Sequence, residues 1–543
     1  MFLLSEQELD EKFSAAPAGI RLYFSKVFSI LRKSGTDKPI SFSLENILEK
    51  RRGELAPGGY ENSFACPGYA YQQLGECGKL FSFLYTEILS LPLSLFQEEA
   101  FLPDALSGVL SSLAELSLKL IGEKDYFARL RREAYPCLYA YALDTDEFRT
   151  RKRAEDQLIP GKYSLESFFK WEHLSDTDRR MIRFLEELPH QDKSAIAHTW
   201  VKGFTDGFKA TRRDLSRKRS VQIRSPLCFA PVLGFAIKEL QEIGLEAVLP
   251  PSPVSFLEGR GPQKRGVYGS FASRQYEYDH KDDLALFLDE RFLEARLAHL
   301  KSAYQALSER AAALAGPMVL EAFGEEGFAY APSPYAARYE EGQRSLFLKL
   351  QSSSAVISEE FIPSDEISYT IMALPVPEIG EEIFPKIFQD VQTINTLDSE
   401  RFSKIQQKLI DVLDGAEFVR IKGRGDNRTD LKVNLRRLDA PERETKFENC
   451  VADVNIPVGE VFTSPVLEGT EGILHVSRVF LNGMEYKDLA VCIRDGMTAG
   501  FSLANFESEE ANQKFFMENV LKFHESLPIG EFAIGTNTFA YAM

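Results

Sequence analysis

The hydrophobic period changes along this 543-residue chain, and that change limits the folds open to it. Leu293, Leu297, Leu300, Tyr304 and Leu307 recur at steps of four, three, four and three, the spacing of an amphipathic helix. Asp289 is placed to cap its start, and Gly316-Pro317 to end it. Val319 opens a short apolar run, residues 369–374 form another ending at Pro375-Val376-Pro377, and 399–413 returns to helical spacing. Leu431, Val433 and Leu435 then recur at a spacing of two. They follow Phe418, Val419 and Ile421 across the turn residues Gly423-Arg424-Gly425-Asp426-Asn427. That pattern predicts a β-hairpin. The rest is strand-rich, with turns expected at Pro457, Gly469, Gly483 and Asp495-Gly496. Alternating helix and strand followed by strands alone predicts a layered α/β domain leading into a β-rich one.

Upstream the pattern is helical to about residue 156. Ile20, Tyr23, Val27 and Leu31 form one apolar stripe, and 102–120 is rich in Leu, Ser and Ala. Two basic clusters follow, Arg149/Arg151/Lys152/Arg153 and Arg212/Arg213/Arg217/Lys218/Arg219, both expected as solvated faces or loops. Val221 and Ile223 alternate with polar neighbours. Pro226 then leads to a helical run over 232–243 with Gly244 as its stop, so strand, turn and helix come in the order of an α/β unit. Residues 250–269, rich in Pro, Gly and charge, predict a linker or long loop. The expected fold class is therefore α/β and α+β, multidomain. It comprises a mostly helical extension over 1–265 ending in an α/β unit and linker, an α/β domain over 266–440, and a β-rich domain from 441.

Acidic residues outnumber basic ones 81 to 64, a net charge of −17. Phosphate backbones need the opposite sign, so a nucleic-acid partner is not expected. The six cysteines form no CxxC pair, which argues against a thiolate zinc knuckle or a disulfide framework and fits a cytoplasmic setting. The N-terminus lacks the basic and long apolar regions of a signal peptide. The most apolar stretch, 80–96, is broken by Glu87 and Pro92. It predicts buried helices rather than a membrane span.

Two carboxylates stand in unusual surroundings. In Asn455-Ile456-Pro457-Val458-Gly459-Glu460-Val461-Phe462-Thr463-Ser464-Pro465, two prolines and a glycine bracket Glu460. Such bracketing fixes the backbone, as a metal ligand requires. A lone Glu beside turn residues is also, as a rule, a solvated surface group. In Pro528-Ile529-Gly530-Glu531-Phe532-Ala533-Ile534-Gly535, Glu531 has apolar neighbours and must be exposed, paired or metal-bound. Carboxylates drawn from separate strands suit divalent cations. Asp430 and Asp453 are possible polar supports. Of the seven histidines none makes an HExxH pair, and each is expected to be structural or at the surface, with His475 the best candidate ligand among them.

NIPVGEVFTSP is similar to the Asn-x-Pro-x-x-Glu-Val-Phe-Thr-x-Pro segment of the M29 metallo-aminopeptidases. The Gly-Glu of PIGEFAIG is similar to that family's second ligand segment. Arg428-Thr429-Asp430-Leu431 resembles its Gly-Thr-Asp-Leu strand, with Arg in place of Gly. The likeness runs from about Asp289 onward and is strongest past Asn427. It implies that Glu460 and Glu531 are metal ligands, drawn together onto a cation. The implied cofactor is a pair of divalent metals (zinc, cobalt or magnesium), the implied reaction removal of N-terminal residues from a peptide substrate, and the implied assembly a homodimer. The family's later ligands, a His with a Tyr and then a His/Asp pair, have no counterpart before Met543. The resemblance therefore implies a site cut short, weak metal binding and little activity. The alternative is a non-catalytic binding or scaffold protein derived from the same fold.

Overall fold

The computed structural model describes residues 6–31, 44–97, 101–451, 455–481, 483–522 and 524–542. Its first part is a stack of helices, among them Ala18–Leu31, Gly78–Phe96, Leu102–Lys119 and Tyr126–Leu158. The stripe of Ile20, Tyr23, Val27 and Leu31 is fully buried, as its spacing requires. Among the described residues one helical stretch, Tyr60–Phe96, is long and apolar enough to cross a membrane; 83% of its apolar window is buried inside the protein.

Burying that stretch buries Glu87, and the first basic cluster answers it. Arg149 donates to Glu87 at 2.6 Å, and Tyr141 and Ser255 donate to it at 2.7 Å each. Lys152 is held by Asp156 and Tyr163, each at 2.6 Å. Arg149 and Lys152 are only 3% and 5% exposed, so the cluster is not the solvated face expected from sequence. Half of it neutralises acids that would be costly to bury bare. In the second cluster Lys218 is likewise buried, donating to the Ala312 carbonyl at 2.9 Å.

Five parallel strands lie in the order β2-β1-β4-β5-β9: β1 (Ser220–Pro226), β2 (Glu246–Val248), β4 (Leu314–Phe323), β5 (Thr370–Pro375) and β9 (Asn455–Ile456). The two-residue strand β3 (Val267–Tyr268) pairs with β1 off that path. Helix Ala230–Glu242 follows β1 and ends before Gly244, which adopts φ +82°. Helices Glu290–Ala306, capped by Asp289 onto the Phe292 amide at 2.8 Å, and Ser399–Leu413 lie where periodicity placed them.

Four expectations are corrected. The segment 250–269 is the long loop rather than the free linker: β3 lies within it, and Arg260 grips Glu277 at 2.6 Å. The sheet therefore crosses the expected boundary at 265, with β1 and β2 before it and β4 and β5 after. The boundary at 440 fails in the same way, because β9 adds to β5. Composition alone mistook Pro and Gly for flexibility where long-range pairing holds the chain. Gly316-Pro317, read as a helix stop, lies inside β4; Gly316 takes φ +121°, and a Cβ there would sit 1.9 Å from the Ser368 carbonyl oxygen. Close approach of two backbones is what requires glycine.

The remaining strands are antiparallel. β6 (Phe418–Lys422) and β7 (Asp430–Asn434) form the predicted hairpin, and β7 joins β11 (Val466–Leu481), β12 (Met484–Arg494) and β13 (Met497–Ser502) in a five-stranded sheet. Asp495-Gly496 turns β12 into β13 with both residues at positive φ, and Gly483 turns β11 into β12. Gly469 is no turn between strands but an irregularity within β11, where the pairing register shifts. A third sheet, β14-β10-β8, contains β8 (Glu448–Cys450), β10 (Glu460–Thr463) and β14 (Phe532–Gly535).

Candidate metal-binding site

The two singled-out segments meet directly. β10 and β14 pair antiparallel, with Glu460 opposite Gly535 and Thr463 opposite Phe532. Residues facing each other across a ladder share a face, and alternate residues along a strand do too. Val461, Phe532 and Ile534 take the inner face and pack with Phe447 and Ile410. Glu460 takes the other face with Ala533 and Gly535. Glu531, one position before β14, falls in the same alternation and is exposed; Glu460 is half-buried. Four strand positions and one step between strands put their Cα atoms about 14 Å apart. The glutamates thus lie on one side of the sheet at opposite ends of the ladder. Two carboxylates on one cation need oxygens roughly 4 Å apart, so this spacing does not favour the convergence on a single ion that the resemblance suggested. Phe462, opposite Ala533, lies on the same face between them and is half-buried.

The backbone around Glu460 is held on several sides. Asn455 and Ile456 are tied into the parallel sheet as β9, and the peptide from Ile456 to Pro457 is cis. Gly459 takes φ +134°, and a Cβ there would lie 2.5 Å from Asn537 Cβ. The Asn537 amide donates to the Val458 carbonyl at 3.0 Å, and the Thr536 N–H to the Gly459 carbonyl at 2.7 Å. Asn455 Nδ2 donates to Glu460 Oε1 at 3.3 Å, the one side-chain hydrogen bond to that carboxylate among the described residues.

Sequence reasoning missed the side chain that locks these strands together. Gln406, fully buried, points Nε2 at Asn449 Oδ1 (2.6 Å), the Cys450 carbonyl (2.9 Å) and the Glu460 carbonyl (3.1 Å). Its Oε1 accepts from Thr536 at 3.1 Å. A signal existed: Gln406 continues the buried stripe of Phe402, Ile410 and Leu413 on its helix. A polar residue on an apolar face needs partners.

Other candidates are already engaged. His475, 3% exposed, accepts from the Arg428 amide at Nδ1 (3.0 Å) and donates from Nε2 to Asp488 (2.7 Å), which leaves no lone pair for a cation. That hydrogen bond, with Arg428 second, holds Asp488 below the usual carboxylate range. Asp430 is held by Arg420 through two contacts at 2.8 and 2.9 Å, which depress its pKa, so it is an ion-pair partner rather than a support for Glu460. His524 is exposed, and Asp453 lies outside the described residues. Among the described residues no group of three or more His, Cys, Asp or Glu side chains is arranged to hold a metal. Glu460 and Glu531 do not by themselves complete a metal shell.

Residues 338–540, which include both glutamates, match the family model of the thermophilic metalloproteases (M29). The match opens just before helix Glu341–Phe361, some 50 residues later than the likeness read from sequence. No curated protein matches the chain. Among solved structures, wild-type AmpT from Thermus thermophilus is similar over 60% of this chain and 78% of its own, at 14% identity and a TM-score of 0.32, a likeness too slight to carry an argument.

Proposed function

We propose that Glu460 and Glu531 are metal ligands of an aminopeptidase-type centre that acts on the N-termini of peptides. The observation that supports this most is their placement on one face of the β10–β14 ladder, about 14 Å apart at Cα. Two glutamates at opposite ends of that face, with Phe462 between them, would each hold one metal of a divalent pair. Asn455 would orient the first of them. When bound, such a metal pair supplies an activated water and polarises a carbonyl. The donors present do not complete its shell, so no hydrolytic step follows from these residues alone.

The second reading, a non-catalytic binding or scaffold protein on the same fold, is favoured by the lack of a third donor near either glutamate among the described residues. Competition of this chain with a chromophoric chelator for zinc or cobalt separates the two. On the metal-site reading, Glu460→Gln and Glu531→Gln each weaken binding about 10-fold or more, while Asp430→Asn and His524→Gln leave it unchanged. If both glutamate variants bind like the unaltered chain, the metal-site reading fails. With the donors present, release of an amino acid from a dipeptide amide should be slow; turnover at about one per second or faster would defeat the scaffold reading.

A further inference from the structure

Far from the two glutamates, a small pocket of about 40 Å³ lies between helix Leu44–Leu55, helix Leu165–Trp171 and the 250–277 segment. Arg51 lines it and is 6% exposed. Its Nε is buried without a hydrogen-bond partner. Trp171, 5% exposed, lines the same pocket, and its indole N–H is also buried without an acceptor. Two orphaned donors on residues lining one cavity are unusual, because buried donors are nearly always matched.

The charges around the pocket do not balance. Glu277 is taken by Arg260, through Nε at 3.0 Å and Nη2 at 2.6 Å. Glu172 accepts the Gly269 amide at 2.9 Å. Lys264 spends donors on the Gly269 and Ser270 carbonyls, at 2.8 and 3.0 Å, which carry no charge. Three cations thus face two carboxylates, an excess of one positive charge. Burial first, and Arg260 second, lower Arg51 to about 10, so it stays cationic at neutral pH. His173, also lining the pocket, is held below its ordinary range by burial and then by Arg51 and Lys264, and adds no charge there.

We propose that this pocket binds a carboxylate group, with the Arg51 guanidinium as its cation and the Trp171 indole N–H as a second donor. A single negative charge closes the imbalance. At the ~10–15 Å³ needed per water-sized atom, the volume holds about three non-hydrogen atoms, the size of a carboxylate group. The planar guanidinium is shaped to meet it.

The full chain carries two tryptophans, Trp171 and Trp200, so its indole N–H NMR spectrum holds two resonances, and Trp171→Phe assigns them. Titration with sodium formate, at ionic strength matched by sodium chloride, should shift the Trp171 resonance saturably and raise Tm. Arg51→Met should weaken that response at least tenfold while folding with an unliganded Tm no lower than that of the unaltered chain, since it removes a buried charge in local excess. The proposal is overturned if formate acts no differently from chloride, if Arg51→Met keeps the full response, or if inorganic phosphate saturates the site more tightly than formate. A Trp171 resonance that never moves overturns it even where Arg51→Met does not fold.

Discussion

Replacing Gln406 by Leu should loosen the sheet that carries Glu460 and leave the rest of the chain intact. The side chain makes four hydrogen bonds, to Asn449, Cys450, Glu460 and Thr536, all from a fully buried position. A buried hydrogen bond contributes about 0.5–1.5 kcal/mol net, and a buried group left unmatched costs about 1–3 kcal/mol. The Cys450 and Glu460 backbones keep their places in the β8–β10 pairing, which limits the loss there. The sum is about 2–5 kcal/mol. Leucine of similar volume leaves little cavity, so the loss is in polar matching. Hydrogen exchange followed by mass spectrometry reads this locally. Amides of β8, β10 and β14 should exchange about 30- to 4000-fold faster, at 1.4 kcal/mol per tenfold. Gln407→Leu, at an exposed neighbour whose side chain reaches Asp411, should change nothing there. If Gln406→Leu accelerates exchange in these strands less than about fivefold, Gln406 does not hold the site together.

Gly459→Ala should destabilise the same region by about 1–3 kcal/mol or more, because φ +134° is strained for any side chain and the added Cβ meets Asn537; a lower urea midpoint would show it. Glu87→Ala should cost about 3–5 kcal/mol by leaving Arg149 buried beside a missing partner, whereas Glu87→Leu with Arg149→Met should recover most of it; equal losses in single and double variants would refute the pairing. The contact between His299 and Asp146, 2.9 Å long, should make stability depend on pH. The hydrogen bond to Asp146 raises His299. Burial pushes Asp146 up, but Arg296 and then His299 bring it net below the usual range. The raised histidine contributes below its unfolded pKa and loses that contribution as pH climbs through its folded pKa; the lowered aspartate contributes above its unfolded pKa and loses it as pH falls. The pair should therefore stabilise most between about pH 4 and 6.5, and His299→Gln should flatten the decline above that window in a urea-midpoint series.

Local signals are legible in the residues themselves. Steps of three and four placed helices Glu290–Ala306 and Ser399–Leu413, alternation with a Gly/Asp/Asn turn placed the β6–β7 hairpin, and Pro/Gly bracketing drew attention to Glu460. These depend on neighbours within one turn or one strand, where backbone geometry imposes the period. Long-range pairing is not legible in that way. Nothing local says that 250–269 is pinned by β1 and Glu277, or that Gly316 sits inside a strand against Ser368. Nor does it say that Arg149 and Lys152 serve buried acids. Even the two glutamates, 71 residues apart, needed the β10–β14 register to show that they share a face but not a position. Sequence by itself singled out the candidate ligands and placed the strongly periodic helices and the β6–β7 hairpin. Tertiary structure decided which faces met and which charges were buried, because those depend on contacts between residues far apart in the chain.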